Sequence, residues 1–185
     1  MPQSFFKQYN ELILQSLSSI DDALLIEVAT IIKDTSASGN KIIIVGNGGS
    51  AAMASHVAVD LTKAAGCRAI TFNESDLLTC FANDYGYEKW VEKAFEFYAD
   101  KGDTVILISS SGTSPNIIKG AEWAKNFGLK VITLSGFSGD NALRGLGDVN
   151  LWTDSKGYNI VEMTHHIWLV AIVDYLVGKI EYKAN

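Results

Sequence analysis

Three groups of residues in this 185-residue chain have types and spacings that can do chemistry. The first is a pair of turns that end apolar runs. Ile42-Ile43-Ile44-Val45 leads into Gly46-Asn47-Gly48-Gly49-Ser50-Ala51. Val105-Ile106-Leu107-Ile108 leads into Ser109-Ser110-Ser111-Gly112-Thr113-Ser114. Glycines let backbone N–H groups converge, serines add hydroxyl donors, and a following helix start adds unpaired N–H groups with partial positive charge. Such a turn cradles an anion, most often a phosphate. Two in one small chain predict a phosphorylated ligand held from both ends or on two sides. Tight turns built from small residues for packing are the plainer reading. However, Ser109, Ser110 and Ser111 place hydroxyls where packing needs none.

The second group is His56 and Asp60, four apart on the helix that follows the first turn. They share a helix face, as metal ligands or an acid–base pair would, and as ordinary surface pairs also do. Asp60 falls roughly 15 Å along the axis from the anion-binding end. A ligand in its own cradle would strain to reach it, whereas a neighbouring subunit's ligand would not. The third group is Glu162, His165 and His166, spaced so that the carboxylate reaches either imidazole. Ile160, Val161, Ile167 and Trp168 surround them, which predicts partial burial and pKa values moved towards neutrality. A polar seam between packed helices is the competing reading. Asn83-Asp84, before Tyr85-Gly86-Tyr87, reads as a loop.

The elements that must hold these groups follow from periodicity. Residues 3–38 read as two helices, with Leu12, Leu14, Leu17 and Ile20, then Leu24, Leu25, Val28, Ile31 and Ile32, at helical spacing. Strand-like runs occupy 41–45, 68–72, 104–108, 130–134 and 149–153. Helical patterns at 50–65, 88–99 and 115–127 separate the first four. Continuous β-branched runs are buried on both faces, so the expected fold is α/β: a parallel sheet between helical layers. Residues 136–147 are Gly-rich and weakly helical. The final helix, about 159–177, is apolar on most sides, more than one monomer face usually requires. One domain over 1–185 is expected, with helices over 1–38 and the α/β sandwich over 39–185.

Composition narrows the function. A content of 48% apolar and 19% charged residues is that of a globular domain, and the net charge of −6 argues against a nucleic-acid surface. Cys67 and Cys80 have neither metal-site nor disulfide-framework spacing. The N-terminal residues lack signal-peptide form, and Asp174 interrupts the last apolar helix, so a cytoplasmic protein without a membrane span is expected. The first turn also fits the dinucleotide pattern G-x-G-x-x-A, with Glu74 where a ribose-binding acid would stand. Against a nucleotide-binding domain, that pattern gives the serine turn no role, and the chain leaves little room for a substrate domain.

Taken in order, Gly46-Asn47-Gly48-Gly49-Ser50-Ala51-Ala52, His56 with the acid at 60, Asn83-Asp84-Tyr85-Gly86-Tyr87, and Ile108 through Asn116 resemble the sugar isomerase (SIS) domain, in its phosphoheptose isomerase branch. The resemblance covers essentially the whole chain. It implies a three-layer sandwich on a five-stranded parallel sheet, of flavodoxin-like type, assembled as a homotetramer with active sites between subunits. It also implies conversion of sedoheptulose 7-phosphate to an aldoheptose 7-phosphate through an enediol. By position, Ser109, Ser110, Ser111 and Ser114 match the phosphate-binding serines. Asn47, Gly48, Gly49 and Ser50 match one substrate loop, and Asn83 and Asp84 a second. His56 matches a zinc ligand of some members, so zinc is an optional cofactor and none is required.

The chain departs from the family at the chemical end. Asp60 stands where members usually have Glu, both catalytic base and zinc ligand. The family's last helix reads Gln-Glu-x-His, with a catalytic His five residues after that one. One alignment puts Val161 at the Gln and Leu169 at the catalytic His; a shift by one puts Glu162 at the Gln and Val170 at the His. The expectation is therefore a sugar-phosphate isomerase in which Asp60 or Glu162 takes the α-proton and His165 or His166 relays a proton to oxygen. A non-catalytic phosphosugar-binding sensor or scaffold is the alternative.

Overall fold

The computed structural model describes residues 4–181. Five parallel strands form one sheet: β1 (Ile42–Gly46), β2 (Ala69–Ile70), β3 (Thr104–Ser109), β4 (Lys130–Ser135) and β5 (Val149–Trp152), in the order β2-β1-β3-β4-β5. The order reverses between β1 and β3. In a doubly wound sheet the carboxyl ends of the two strands flanking that reversal leave a crevice where ligands bind. The two glycine/serine turns leave β1 and β3 there, with Gly46 paired to Ile108.

Side chains alternate across each strand, so the sheet buries two separate cores. Ile42, Ile44, Ile106, Ile108, Ile132 and Leu134 face one layer: α2 (Asp22–Ala37), α3 (Gly49–Lys63) and α7 (Tyr158–Val177). Ile43, Val45, Val105, Leu107 and Val131 face the other, built on α5 (Trp90–Tyr98) and α6 (Pro115–Phe127). The remaining helices are α1 (Phe5–Leu17), which packs on α7, and α4 (Ser75–Tyr85), which packs on α5.

Local signals explain the helix ends. The Ser4 hydroxyl accepts from Lys7 N–H and the Asp21 carboxylate accepts from Ala23 N–H, capping α1 and α2. Pro115 opens α6, and Gly128 closes it with a left-handed φ of 86°.

The structure differs from the periodicity in three places. The second strand is two residues long, because β2 is a sheet edge with one partner. Asn83 and Asp84 do not lie in a loop; they form the last turn of α4, which Leu77, Leu78, Phe81 and Ala82 anchor on the α5/α6 core. The second N-terminal helix does not precede the sandwich but belongs to it: Val28, Ala29 and Ile32 are inside the core. The weakly helical stretch 136–147 is as expected: within it only Leu143–Gly145 is helical, as one 3-10 turn. The length and apolarity of α7 would by themselves suit a bilayer. Here they serve a core helix, with Val161, Thr164, His165, Trp168, Leu169, Ile172 and Val173 buried. A stripe of Met163, Ile167 and Tyr175 stays exposed.

Candidate active site

The serine turn begins as β3 ends and hands over to α6 at Ser114, the N-cap. Ser114 makes no side-chain bond to its own helix, so its hydroxyl is free for the turn and lies 3.0 Å from Ser109 Oγ. Ser111 Oγ pairs with Thr113 Oγ1 at 2.9 Å. Gly112 has a φ of +66°, and the Asn141 side chain fills the space a Cβ would need. The turn is clamped from below: Gly136 N–H donates to Ser110 O at 2.9 Å, and Leu143 N–H to Gly112 O at 3.0 Å. This preorganises the donors, which lowers the ordering cost of binding.

The first turn faces the serine turn across the β1/β3 junction. Gly48, with φ 54°, is the N-cap of α3, and Ser50 is buried in the first turn of that helix. Between the two turns lies a pocket of about 110 Å³, lined by Asn47, Ser50, Ser109, Ser110, Ser111, Ser114, Tyr158 and Glu162. It has room for a phosphate group. Both predicted cradles therefore open on one pocket, and the α3 end of it meets a carboxylate of the chain itself. Glu162 reaches from α7 to within 3.5 Å of Ser110 Oγ, and a Cβ at Gly49 would run into its Oε2. Gly49 is thus required for the close approach of Glu162.

Asn47 lines the pocket with its amide already engaged. It exchanges two bonds with the buried Asn116 amide, at 3.0 and 2.9 Å, and its oxygen also accepts from Tyr87 Oη at 3.2 Å. Asn83 and Asp84 are not brought to the pocket. Asn83 donates to Asp84, and Cys80 Sγ lies 3.7 Å from the same carboxylate, which raises the pKa of the exposed Cys80 thiol. Tyr87 is what that segment contributes. Tyr158, one turn before Glu162, forms the rim, its ring edge-to-face with Phe137 at 4.8 Å. Phe137 has φ 57°, a left-handed conformation that costs a non-glycine residue of order 1–2 kcal/mol. Sequence reading did not single out Asn116, Tyr87, Tyr158 or Phe137 as site residues. The first two lie within the motifs, and the last two carry no sequence signal.

The adjacent histidines of α7 separate. His165 is fully buried; its Nε2–H donates to Ser135 O at 3.0 Å, and its Nδ1 has no partner. Burial lowers its pKa to about 4, against a smaller raising effect of the Ser135 bond, so it is a neutral core residue. Of the two candidate proton carriers, His165 is corrected to a core position, because it is fully buried and does not line the pocket. His166 is half-buried one turn beyond Glu162. Its Nε2 lies 2.9 Å from His56 Nδ1, and His56 Nε2 lies 3.1 Å from Asp60 Oδ2. Desolvation lowers the His166 pKa, His56 adds to the lowering, and Asp60 opposes it.

His56 and Asp60 do not fit a zinc site as placed. Asp60 and His166 lie on opposite edges of the His56 ring, whereas tetrahedral zinc needs donors converging on one point at about 2.0–2.2 Å. Among the described residues, no three His, Cys, Asp or Glu side chains are grouped to hold a metal ion. Leu169 lies in the core, and Val170, two turns from Glu162 on the same helix, is half-buried and apolar. Neither position offers the histidine that the resemblance implies. Glu74, just before α4, is not part of the pocket, and this removes the acid of the dinucleotide reading from the site.

Residues 4–136 match the SIS domain family. A probable phosphoheptose isomerase of Thermoplasma acidophilum is 34% identical over 184 residues, covering 96% of this chain and 98% of that protein. A phosphoheptose isomerase of Helicobacter pylori is 33% identical, with 98% and 96% covered. The structure of the phosphoheptose isomerase from Neisseria gonorrhoeae superposes with a TM-score of 0.84 at 27% identity, covering 91% of this chain and 95% of that one.

Proposed function

Since the chain belongs to the SIS domain family, we propose that it is a phosphosugar isomerase interconverting sedoheptulose 7-phosphate and an aldoheptose 7-phosphate. The observation that carries this reading is the serine-lined, phosphate-sized pocket with one carboxylate, Glu162, in its wall. Ser109, Ser110, Ser111 and Ser114 hold the phosphate from one side and Ser50 from the other, assisted by the N-terminal N–H groups of α3 and α6. The sugar chain then leaves along α7. Glu162 takes the proton α to the carbonyl, and His166, one turn on, moves a proton between the two enediol oxygens. Leu169 and Val170 stand where the family's catalytic histidine is expected, and that one observation favours a second reading, a phosphosugar-binding protein without turnover. The same proposal takes residues 1–185 as one SIS domain and the protein as a cytoplasmic homotetramer. No step is assigned to zinc.

Calorimetry tests the phosphate assignment. Ser111→Ala with Ser114→Ala is expected to weaken sugar-phosphate binding by about 1–3 kcal/mol, through loss of hydrogen bonds to a charged group. Unchanged affinity would place the phosphate elsewhere.

A further inference from the structure

The pocket between the two turns, about 110 Å³, is sized for a phosphate and not for a whole sugar phosphate, so the carbon chain of such a ligand must leave past its rim. Tyr158 stands on that rim with 59% of its surface exposed. It opens α7, one helical turn before Glu162, about 6 Å along the axis. Its ring meets the Phe137 ring edge-to-face, with centroids 4.8 Å apart and planes at 71°. Phe137 has the one positive φ of a non-glycine among the described residues. A strained backbone of this kind persists where its surroundings over-determine it, and such residues gather at ligand clamps. Two bonds of 2.9 Å do so here: Gly136 N–H donates to Ser110 O in the serine turn, and Phe137 N–H donates to Ser155 O. Ser155 Oγ in turn accepts from Gly157 N–H at 3.2 Å, and Gly157 is the N-cap that Tyr158 follows. The strained residue is therefore tied on one side to the phosphate turn and on the other to the start of α7, and its ring holds Tyr158 at the mouth of the pocket.

We propose that Tyr158 is a specificity-determining residue whose ring packs on the sugar carbons next to the phosphate, and that Phe137 is the positioning residue that keeps the ring there. This rests on the phosphosugar reading of the pocket and adds to it the part of the ligand beyond the phosphate. A sugar chain carries C–H groups and hydroxyls side by side. An aromatic ring covers the C–H groups and leaves the hydroxyls to water, while the tyrosine keeps its own polar tip wet. The order along α7 gives the ligand a direction: phosphate on the serines, nearest carbons against Tyr158, carbonyl end towards Glu162. Inorganic phosphate makes the same contacts with the serines but has no carbons to lay on the ring. The rim pair thus separates a phosphosugar from free phosphate, which the serine turn alone does not do.

Calorimetric titration of the full chain with two probes, inorganic phosphate and sedoheptulose 7-phosphate, tests this. Tyr158→Ala is expected to weaken the sugar phosphate about tenfold, the factor that burying roughly 60 Å² of apolar surface supplies, and to leave inorganic phosphate unchanged. Tyr158→Phe is expected to bind both probes as the wild type does, because the ring and not the hydroxyl makes the contact. Phe137→Gly removes the positioning ring and accepts the left-handed backbone without strain. It is expected to weaken the sugar phosphate about two- to tenfold, again without touching inorganic phosphate. Because Phe137 acts through Tyr158, the double variant with Tyr158→Ala should bind no more weakly than Tyr158→Ala alone. Ser111→Ala with Ser114→Ala, by contrast, should weaken both probes. Sugar-phosphate affinity unchanged in Tyr158→Ala, both probes weakened alike by it, or Tyr158→Phe as weak as Tyr158→Ala would overturn the role of the ring and leave the phosphate pocket standing. A wild type that does not bind the sugar phosphate would instead overturn the phosphosugar reading, and the role of Tyr158 with it.

Discussion

His165 and His166 are neighbours in sequence and opposites in the structure. Successive residues on a helix point about 100° apart, so one ring enters the core between α7 and β4 while the other reaches α3. Spacing showed that Glu162 could meet either ring. It could not show which ring faced the site, because the rotation of α7 is decided by packing against α2 and α3. The serines, Ser50 and Glu162 were legible because their chemistry is local to two turns and one helix. Asn116 and Tyr87 were not, because their role is to hold the Asn47 amide across long sequence separations. The burial of His165 predicts a pH effect on stability. Its pKa is about 4 in the folded state and 6.5 in the unfolded chain, so above 6.5 neither state is charged and the folded state loses nothing. As pH falls from 6.5 towards 4, the unfolded chain takes up a proton that the folded chain refuses. Stability is therefore lost across that window, by about 3 kcal/mol in total. Denaturation of the wild type and of His165→Gln between pH 7 and 4 checks this. The variant's profile should be flatter by that amount, and parallel profiles would contradict it.

At the level of elements, the two apolar runs ending in glycine and serine are legible in the sequence as strand-turn-helix units, since buried parallel strands and anion-cradling turns both leave strong patterns. The weak points were edges and punctuation. β2 shrank because a sheet edge offers one partner. α4 was missed because Asn83-Asp84-Tyr85-Gly86 carries turn residues, while the helical spacing of Leu77, Leu78, Phe81 and Ala82 lies ahead of it. The junction of α3 with α7 yields a separable prediction. Gly49 has no left-handed φ, and the obstacle to a Cβ there is the flexible end of Glu162. Gly49→Ala should therefore fold with a Tm at or above that of the wild type, since Ala favours a helix over Gly by about 0.5–1 kcal/mol. Isomerase activity should nonetheless fall at least about tenfold, because the carboxylate is pushed from its place. A melt and an activity assay on the same sample decide it; an active variant would mean that Glu162 does not work from this position.

For the whole molecule, the sandwich satisfies its two cores but not all of α7. Met163 and Ile167 are each 42% exposed and Tyr175 60%, and on α1 Phe5 and Phe6 are 71% and 76% exposed. Apolar surface gathered on adjoining helices suits an association face. Light scattering at micromolar concentration is expected to give a tetramer, and Met163→Asp with Ile167→Asp a smaller species; a monomeric wild type would contradict this. The five-stranded sheet and its parallel sense could be read from the sequence. The shared pocket could not be, because it arises only when β1 and β3 become neighbours and bring both turns to one crevice. This crevice is proposed to isomerise a sugar phosphate. Incubating sedoheptulose 7-phosphate with the protein in deuterated water and following it by NMR tests that most directly. The expected product is an aldoheptose 7-phosphate carrying solvent deuterium on the carbon next to the carbonyl, with the reaction lost in Glu162→Gln. Tight binding of the sugar phosphate with neither product nor exchanged deuterium would contradict it.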